Sequence, residues 1–511
     1  MKRFFFFVLF SQWLLLAQLS VKNLAEYQLG NLPNAEPGNL STLFNQMDLS
    51  YRQGLTTVGV RWESFQSTDT QRSYDHLAQR YVQWQDGPFK VRIGNFYTTL
   101  GRGLVLRAFE LPGVIFEQRE FRRRYAYYRD IDGVLAEATW NRFEFTLLYG
   151  SPLNETLPPG VEQDRHSGVV QGGQVKFRPF NWLMLGDAYL RAEIDRAAIP
   201  KNEMNSLFGE INLSNALRQA GLERSFFKIY GEHARSNAQF DDFFSFSDDK
   251  AHATYVSANL SYQKFGLSAE YKDYVDFENS INVPPIGYTE HSYYLLNRST
   301  HELLAQNESG YQFEATYRVH DNLFLLVNTA HAVNDLFAVD YEFDEKMFEA
   351  TFSLSEALYG KAFYNLAKDE LLGDLNRNTG GINLDWAFSE SYALTVDAQH
   401  QNIDRGFAET VTEKFDNSYL ALTFSSSPNF SLSLIGERST DSGETDDPST
   451  RNEIETAPKY WLSMTGAYQI NMNHEISFFY GARRGGLACT SGTCYEVLPF
   501  EGLELRWIAH F

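Results

Sequence analysis

Beyond its first two dozen residues the chain has no apolar run long enough to cross a membrane as a helix, and its mean hydropathy is −0.37. Helical spans, which need about 20 consecutive apolar residues, are excluded. A β-barrel passes that test unseen, because its strands alternate apolar and polar residues and the average stays near that of a soluble protein. Positive charge is short: 44 Lys and Arg against 65 Asp and Glu give a net charge of −21. That balance argues against nucleic acid as a partner. Proline (15) and cysteine (2) are scarce among 511 residues, while Phe (41) and Tyr (29) are plentiful. Such a composition fits many pleated, half-buried surfaces better than helices or disorder.

Other absences narrow the functional field. No cysteine follows the N-terminal apolar run, which speaks against a lipoprotein anchor. No H-E-x-x-H or G-x-S-x-G surrounds the scattered histidines (His76, His166, His233, His291, His301, His331), so no catalytic set and no enzyme activity is expected. The acidic tract from Asp441 to Glu455 and the cluster Phe240 to Phe244 could attract divalent cations, but no spaced D-x-D-x-D-G loop appears, and solvated loops are the preferred reading. Neither a metal nor a cofactor is expected.

What is present is a barrel signature. Lys2 and Arg3 precede an apolar run interrupted by Ser11 and Gln12, the build of a secretory signal peptide, assigned to residues 1–22, with the barrel over 23–511. At the other end, Leu503, Leu505, Trp507, Ala509 and Phe511 share one face, opposite Glu504, Arg506 and His510. This strict alternation ending on an aromatic is similar to the C-terminal signal read by the bacterial barrel-assembly machinery, with Trp507 and Phe511 as its aromatic marks. The same period recurs in Phe143 to Tyr149, Tyr311 to Tyr317, Ile382 to Phe388, Tyr392 to Ala398, Phe430 to Leu434 and Tyr460 to Tyr468. Short polar links, such as Gln85 to Gly87, His320 to Asn322 and Asn471 to Asn473, alternate with longer ones, at 65–75, 193–203, 236–250, 275–308 and 438–457. Pairing every short turn requires a first rising strand at Leu24 to Gly30. The fold predicted is a large all-β antiparallel transmembrane barrel of about 22–24 strands, in the bacterial outer membrane, with both termini periplasmic.

One connection is unusual. Residues 97–130 carry Arg102, Arg107, Arg119, Arg122, Arg123, Arg124 and Arg129 against three glutamates, a local basic excess in an acidic chain. Folded into the lumen, such a segment would narrow a pore and present guanidinium forks suited to carboxylates, sulfates or phosphates, which makes Arg102, Arg107, Arg119, Arg122, Arg123 and Arg124 candidates for anion selection. The plainer alternative has these arginines neutralising inward carboxylates of the wall or meeting lipopolysaccharide at the rim. Gly101 and Gly103, on either side of Arg102, suggest a tight turn.

Here Gly94, Phe96, Tyr97, Gly101, Gly103, Leu104, Leu106 and Arg107 form a G-x-F-Y…G-x-G-L-x-L-R stretch. The N-terminal third around it resembles an uncharacterised, porin-like family of bacterial outer-membrane barrels. That resemblance implies fold and compartment and brings no activity. Cys489 and Cys494 in CTSGTC are expected to form a disulfide in the last long link. The function expected is a porin-like channel for small solutes, with anions as the candidate class. The alternative is a non-conducting barrel that binds or scaffolds, with an unknown secretion or surface-polysaccharide partner. Outer-membrane lipid, lipopolysaccharide and the assembly machinery are the partners implied by the compartment.

Overall fold

The computed structural model describes residues 18–33, 39–153, 158–159, 168–194, 201–236, 251–277, 279, 281–304, 307–336, 339–407, 410–445 and 458–511. Residues 1–17, the cluster Phe240 to Phe244, His166 and most of the acidic tract after Thr445 lie outside them. Of the 29 strands among the described residues, numbered in chain order, 24 form one antiparallel sheet that closes on itself. The seam joins β1 (Gln18–Asn31) to β29 (Phe500–His510), with Lys22 opposite His510 and Leu24 opposite Ile508. The ladder of β1 thus takes in Gln18 to Lys22, which the sequence assigns to the signal peptide, because these residues alternate in register with β2 (Asn39–Gln53) as far as Gln18 opposite Arg52.

Alternation divides the wall into two surfaces. Leu147, Tyr149, Tyr311, Phe313, Tyr317, Trp386, Phe388, Leu462, Leu505 and Trp507 are exposed on the outside. Their neighbours in the chain, among them Thr146, Gln312 and Glu504, turn inward and are buried, as are Glu63, Gln174, Asn328 and Asn365 on other strands. An apolar, aromatic exterior over a polar interior is the surface of a barrel whose solvent outside is lipid.

The alternation of turn lengths holds only in part. At one end of the barrel nearly all links are tight, although residues 213–224 carry the short helix α1 (Ser214–Gln219). At the other end, beside the longer links, three are tight as well: Leu336 pairs with Val339, Asp369 with Asp374 and Phe407 with Thr410. The flanking strands explain this. β19 (Val339–Ser355), β22 (Tyr392–Phe407) and β23 (Thr410–Ser426) run to 17, 16 and 17 residues, so chain that would have formed loops continues the ladder and raises the wall there.

Twice the chain leaves the wall and returns to it one place on. β5 (Phe89–Phe96) pairs directly with β9 (Ile131–Trp140), Phe96 opposite Ile131, and β26 (His474–Arg483) pairs directly with β29. The first excursion folds into a three-stranded sheet of β6 (Thr98–Leu100), β7 (Leu106–Gln118) and β8 (Arg123–Arg129). The second makes the hairpin β27 (Gly486–Thr490) and β28 (Thr493–Val497), across which Cys489 and Cys494 are bonded. A third inward segment, residues 276–307, carries the helical turn α2 (Tyr294–Asn297).

Candidate functional site

The three inward segments pack on the wall and on one another. Leu100, Leu104, Val105 and Leu106 share a buried cluster with Leu148, Val170, Leu190 and Met204 of the wall and with Phe277 and Ile281 of the third segment. Gly101 makes this approach possible. Its φ is +56°, and a Cβ there would lie 2.2 Å from the Glu232 carboxylate. Without one, the Gly101 N–H donates to Gln174 Oε1 at 3.1 Å and the Arg102 N–H to Glu232 Oε2 at 2.8 Å. Between segments, the Arg107 N–H donates to the Ile281 carbonyl at 3.0 Å, Asn282 Nδ2 to the Leu104 carbonyl at 2.9 Å, and Asn297 exchanges hydrogen bonds of 2.9 and 3.0 Å with the Cys489 backbone.

The six candidate arginines do not form a ring. Arg102 lies over the Tyr230 ring at 4.8 Å, and Arg107 lies over Phe109 at 4.4 Å while donating to the Ser491 carbonyl at 2.7 Å. Arg119 pairs with Glu496 at 3.0 Å where both are half exposed. Arg123 donates to the Pro159 and Gln71 carbonyls at 3.0 and 2.9 Å. Only Arg122 and Arg124 converge, both buried, on Glu117 at 3.3 and 3.8 Å, and Arg124 also pairs with Glu26 of β1. Burial raises the Glu117 carboxyl above the usual range, although the Arg122 guanidinium pulls it back down.

Around that pair the structure assembles residues that the arginine-rich segment alone does not reveal. Arg506 of β29 reaches the same Glu26 at 2.5 Å, and Arg483 at the end of β26 reaches Glu504 of β29 at 2.5 Å. Four guanidiniums (Arg122, Arg124, Arg483, Arg506) therefore meet three carboxylates (Glu26, Glu117, Glu504) beside the closing seam. Next to them lies a cavity of about 380 Å³ lined by Glu26, Arg483, Glu504 and Arg506 together with Ser431, Thr465 and Ser477. Arg483 and Arg506 keep about a third of their side-chain surface open, whereas Arg124 is closed off. The alternation of the last strand already put Glu504 and Arg506 on its polar face. Their partnership with Glu26 needed the first strand paired to the last.

Elsewhere several charges of the wall and segments are paired off. Arg61 bonds Asp48 at 2.6 Å and Glu110 of β7 at 2.8 Å, and fully buried Lys272 pairs with Glu308. His291 meets Glu345 at 2.9 Å, His301 meets Asp369 at 2.8 Å and His331 meets Asp344 at 2.9 Å. Among the described residues no group of three or more His, Cys, Asp or Glu could hold a metal ion.

A closed wall with an apolar exterior and segments folded into its lumen defines a constricted transmembrane β-barrel. The chain belongs to a family of unknown function, DUF6029, matched over residues 27–334 and 331–511. No curated protein matches it. Among solved structures it is similar to OccAB2 of Acinetobacter baumannii (11% identity, 69% of this chain and 92% of that chain, TM-score 0.39). It is also similar to OccK5 (OpdH) of Pseudomonas aeruginosa (11% identity, 72% and 96%, TM-score 0.40), and to OccK2 (OpdF) of the same organism, solved in complex with glucuronate (12% identity, 69% and 93%, TM-score 0.38). Likeness of this depth carries nothing about cargo.

Proposed function

We propose that this protein is an outer-membrane channel for small solutes, with the seam-side cavity as its narrow passage and a preference for anions. The observation that carries the reading is the pair of guanidiniums, Arg483 and Arg506, that keep about a third of their surface open to the cavity. A partly solvated guanidinium in a low-dielectric lumen favours a passing carboxylate or phosphate over a cation. The short-turn end and both termini would then face the periplasm, with outer-membrane lipid and lipopolysaccharide around the exterior and the barrel-assembly machinery acting on Trp507 and Phe511. Of the six candidate arginines, Arg124 and Arg122 support the passage from behind. Arg102, Arg107, Arg119 and Arg123 belong to the anchoring of the segment.

In planar bilayers the folded protein should give stable conductance with anions carrying more current than cations. Arg483→Gln and Arg506→Gln should each shift the reversal potential in a salt gradient toward cations. A silent bilayer with folded protein overturns the channel, and an unmoved reversal potential in both variants removes the seam cluster from selection. The apolar packing of the inward segments favours one other reading, a non-conducting barrel that scaffolds a secretion or surface apparatus. Absent conductance together with a fixed partner copurified from membranes would select it.

A further inference from the structure

The three inward segments line a second, half-open cavity of about 310 Å³. Tyr127 and Arg129 of β8, Tyr288 and His301 of the segment 276–307, and Thr493 of β28 all line it. Two of these carry a buried polar atom with no hydrogen-bond partner among the described residues: Tyr288 Oη and Thr493 Oγ1. Both residues are more than nine-tenths buried. A buried polar group left unpaired costs stability, and two around one cavity call for a partner. His301 is held between Asp369, at 2.8 Å from its Nδ1, and Glu308, at 3.8 Å from its Nε2, and Tyr288 is held by the Lys272 ammonium 4.3 Å over its ring and by the Phe343 ring. The Tyr288 hydroxyl is thus held by its neighbours instead of being free to turn away.

We infer that this cavity is a binding site for a neutral, hydroxyl-rich solute the size of a monosaccharide. The size fits, since ligand pockets begin at about 300 Å³. The charge fits too: residues of both signs, Arg129 and His301 against Glu290 and Glu302, share the wall, so an ion of either sign meets repulsion as well as attraction. Hydroxyl groups, which both donate and accept, satisfy a hydroxyl and a phenol together, and Tyr127 adds ring surface for the apolar face of a sugar. Because the cavity is walled by all three inward segments, occupancy would also tie them to one another. This site does not depend on the barrel conducting.

Isothermal titration of the purified full-length barrel in detergent with a panel of neutral pentoses and hexoses, and with glycine and acetate as controls, tests the inference. At least one sugar should bind saturably, and glycine and acetate should not. Tyr288→Phe and Thr493→Val should each weaken that binding about three- to tenfold, the worth of one hydrogen bond. Neither should lower the unfolding temperature, since each hydroxyl has no partner among the described residues to lose. Binding by none of the sugars up to about 50 mM, where only affinities too weak for a built site would remain, overturns the site. So do equal sugar affinity in both variants, preferential binding of glycine or acetate, or a loss of stability showing that the hydroxyls serve the fold.

Discussion

His301 shows how a single side chain ties a lumenal segment to the wall. Burial alone would push its imidazole down, but the Asp369 and Glu308 carboxylates beside it hold it at about 9, above the ordinary 6.5. A group whose folded value is raised contributes stability that is fully present below about pH 6.5 and is lost as pH climbs through about 9. The denaturant midpoint of the protein in detergent should therefore fall between pH 6.5 and 10, by about 1–3 kcal/mol of stability, and His301→Asn should flatten that dependence. A wild-type protein indifferent to pH across this window would remove the ion pair from the stability of the fold. None of this was legible at His301 in the sequence, where one histidine in a long loop looks like any other. Its carboxylates come from two strands whose positions depend on register, as Arg124 depends on a glutamate 98 residues away. The basic excess of residues 97–130 was visible. Which of its arginines would be neutralised was set by partners on β1, β14 (Ser225–Ser236) and β28.

The excursion between β5 and β9 is an insertion in the literal sense, because Phe96 and Ile131 already face each other at the top of a hairpin. Replacing residues 98–129 by a short Gly-Ser turn should leave the 24-stranded wall closed and raise single-channel conductance several-fold. Conductance equal to that of the wild type, with the wall intact, would mean that the segment obstructs nothing. At this scale the sequence was most informative where period two was strict, as in Tyr311 to Tyr317 and Leu503 to Phe511. It was less informative about where ladders end. Leu336 pairs with Val339 and Phe407 with Thr410 because the strands there have enough alternating residues to continue pairing, and ladder hydrogen bonds outcompete a solvated loop.

For the whole molecule, the terminal residue completes the wall. The Phe511 N–H donates to the Val21 carbonyl at 2.8 Å and its carbonyl accepts from the Val21 N–H at 3.0 Å, while the ring stays outside with Trp507. Removing Phe511 should lower the fraction of protein assembled in membranes, read as loss of the heat-modifiable folded band. A Phe511→Tyr variant should restore most of it, since an aromatic end is kept. Assembly undiminished without Phe511 would dismiss its part in the signal. The strand number was accessible from turn counting alone, because closure demands that every descending strand have a rising one. The filling of the lumen was not, since no periodicity marks a loop that turns inward.

The seam between β1 and β29 also sets a timetable. Its contacts join residues 470 or more positions apart, the largest sequence separation in the fold, and such contacts carry the greatest loop-closure entropy and form late. Until the last strand has been made, the first offers an unpaired edge to any passing β-segment, and a chain cut short anywhere keeps two. Truncated products of this protein should therefore be aggregation-prone in proportion to their lipid-facing strands, and quality control in the cell has one simple criterion to read: whether an open edge persists.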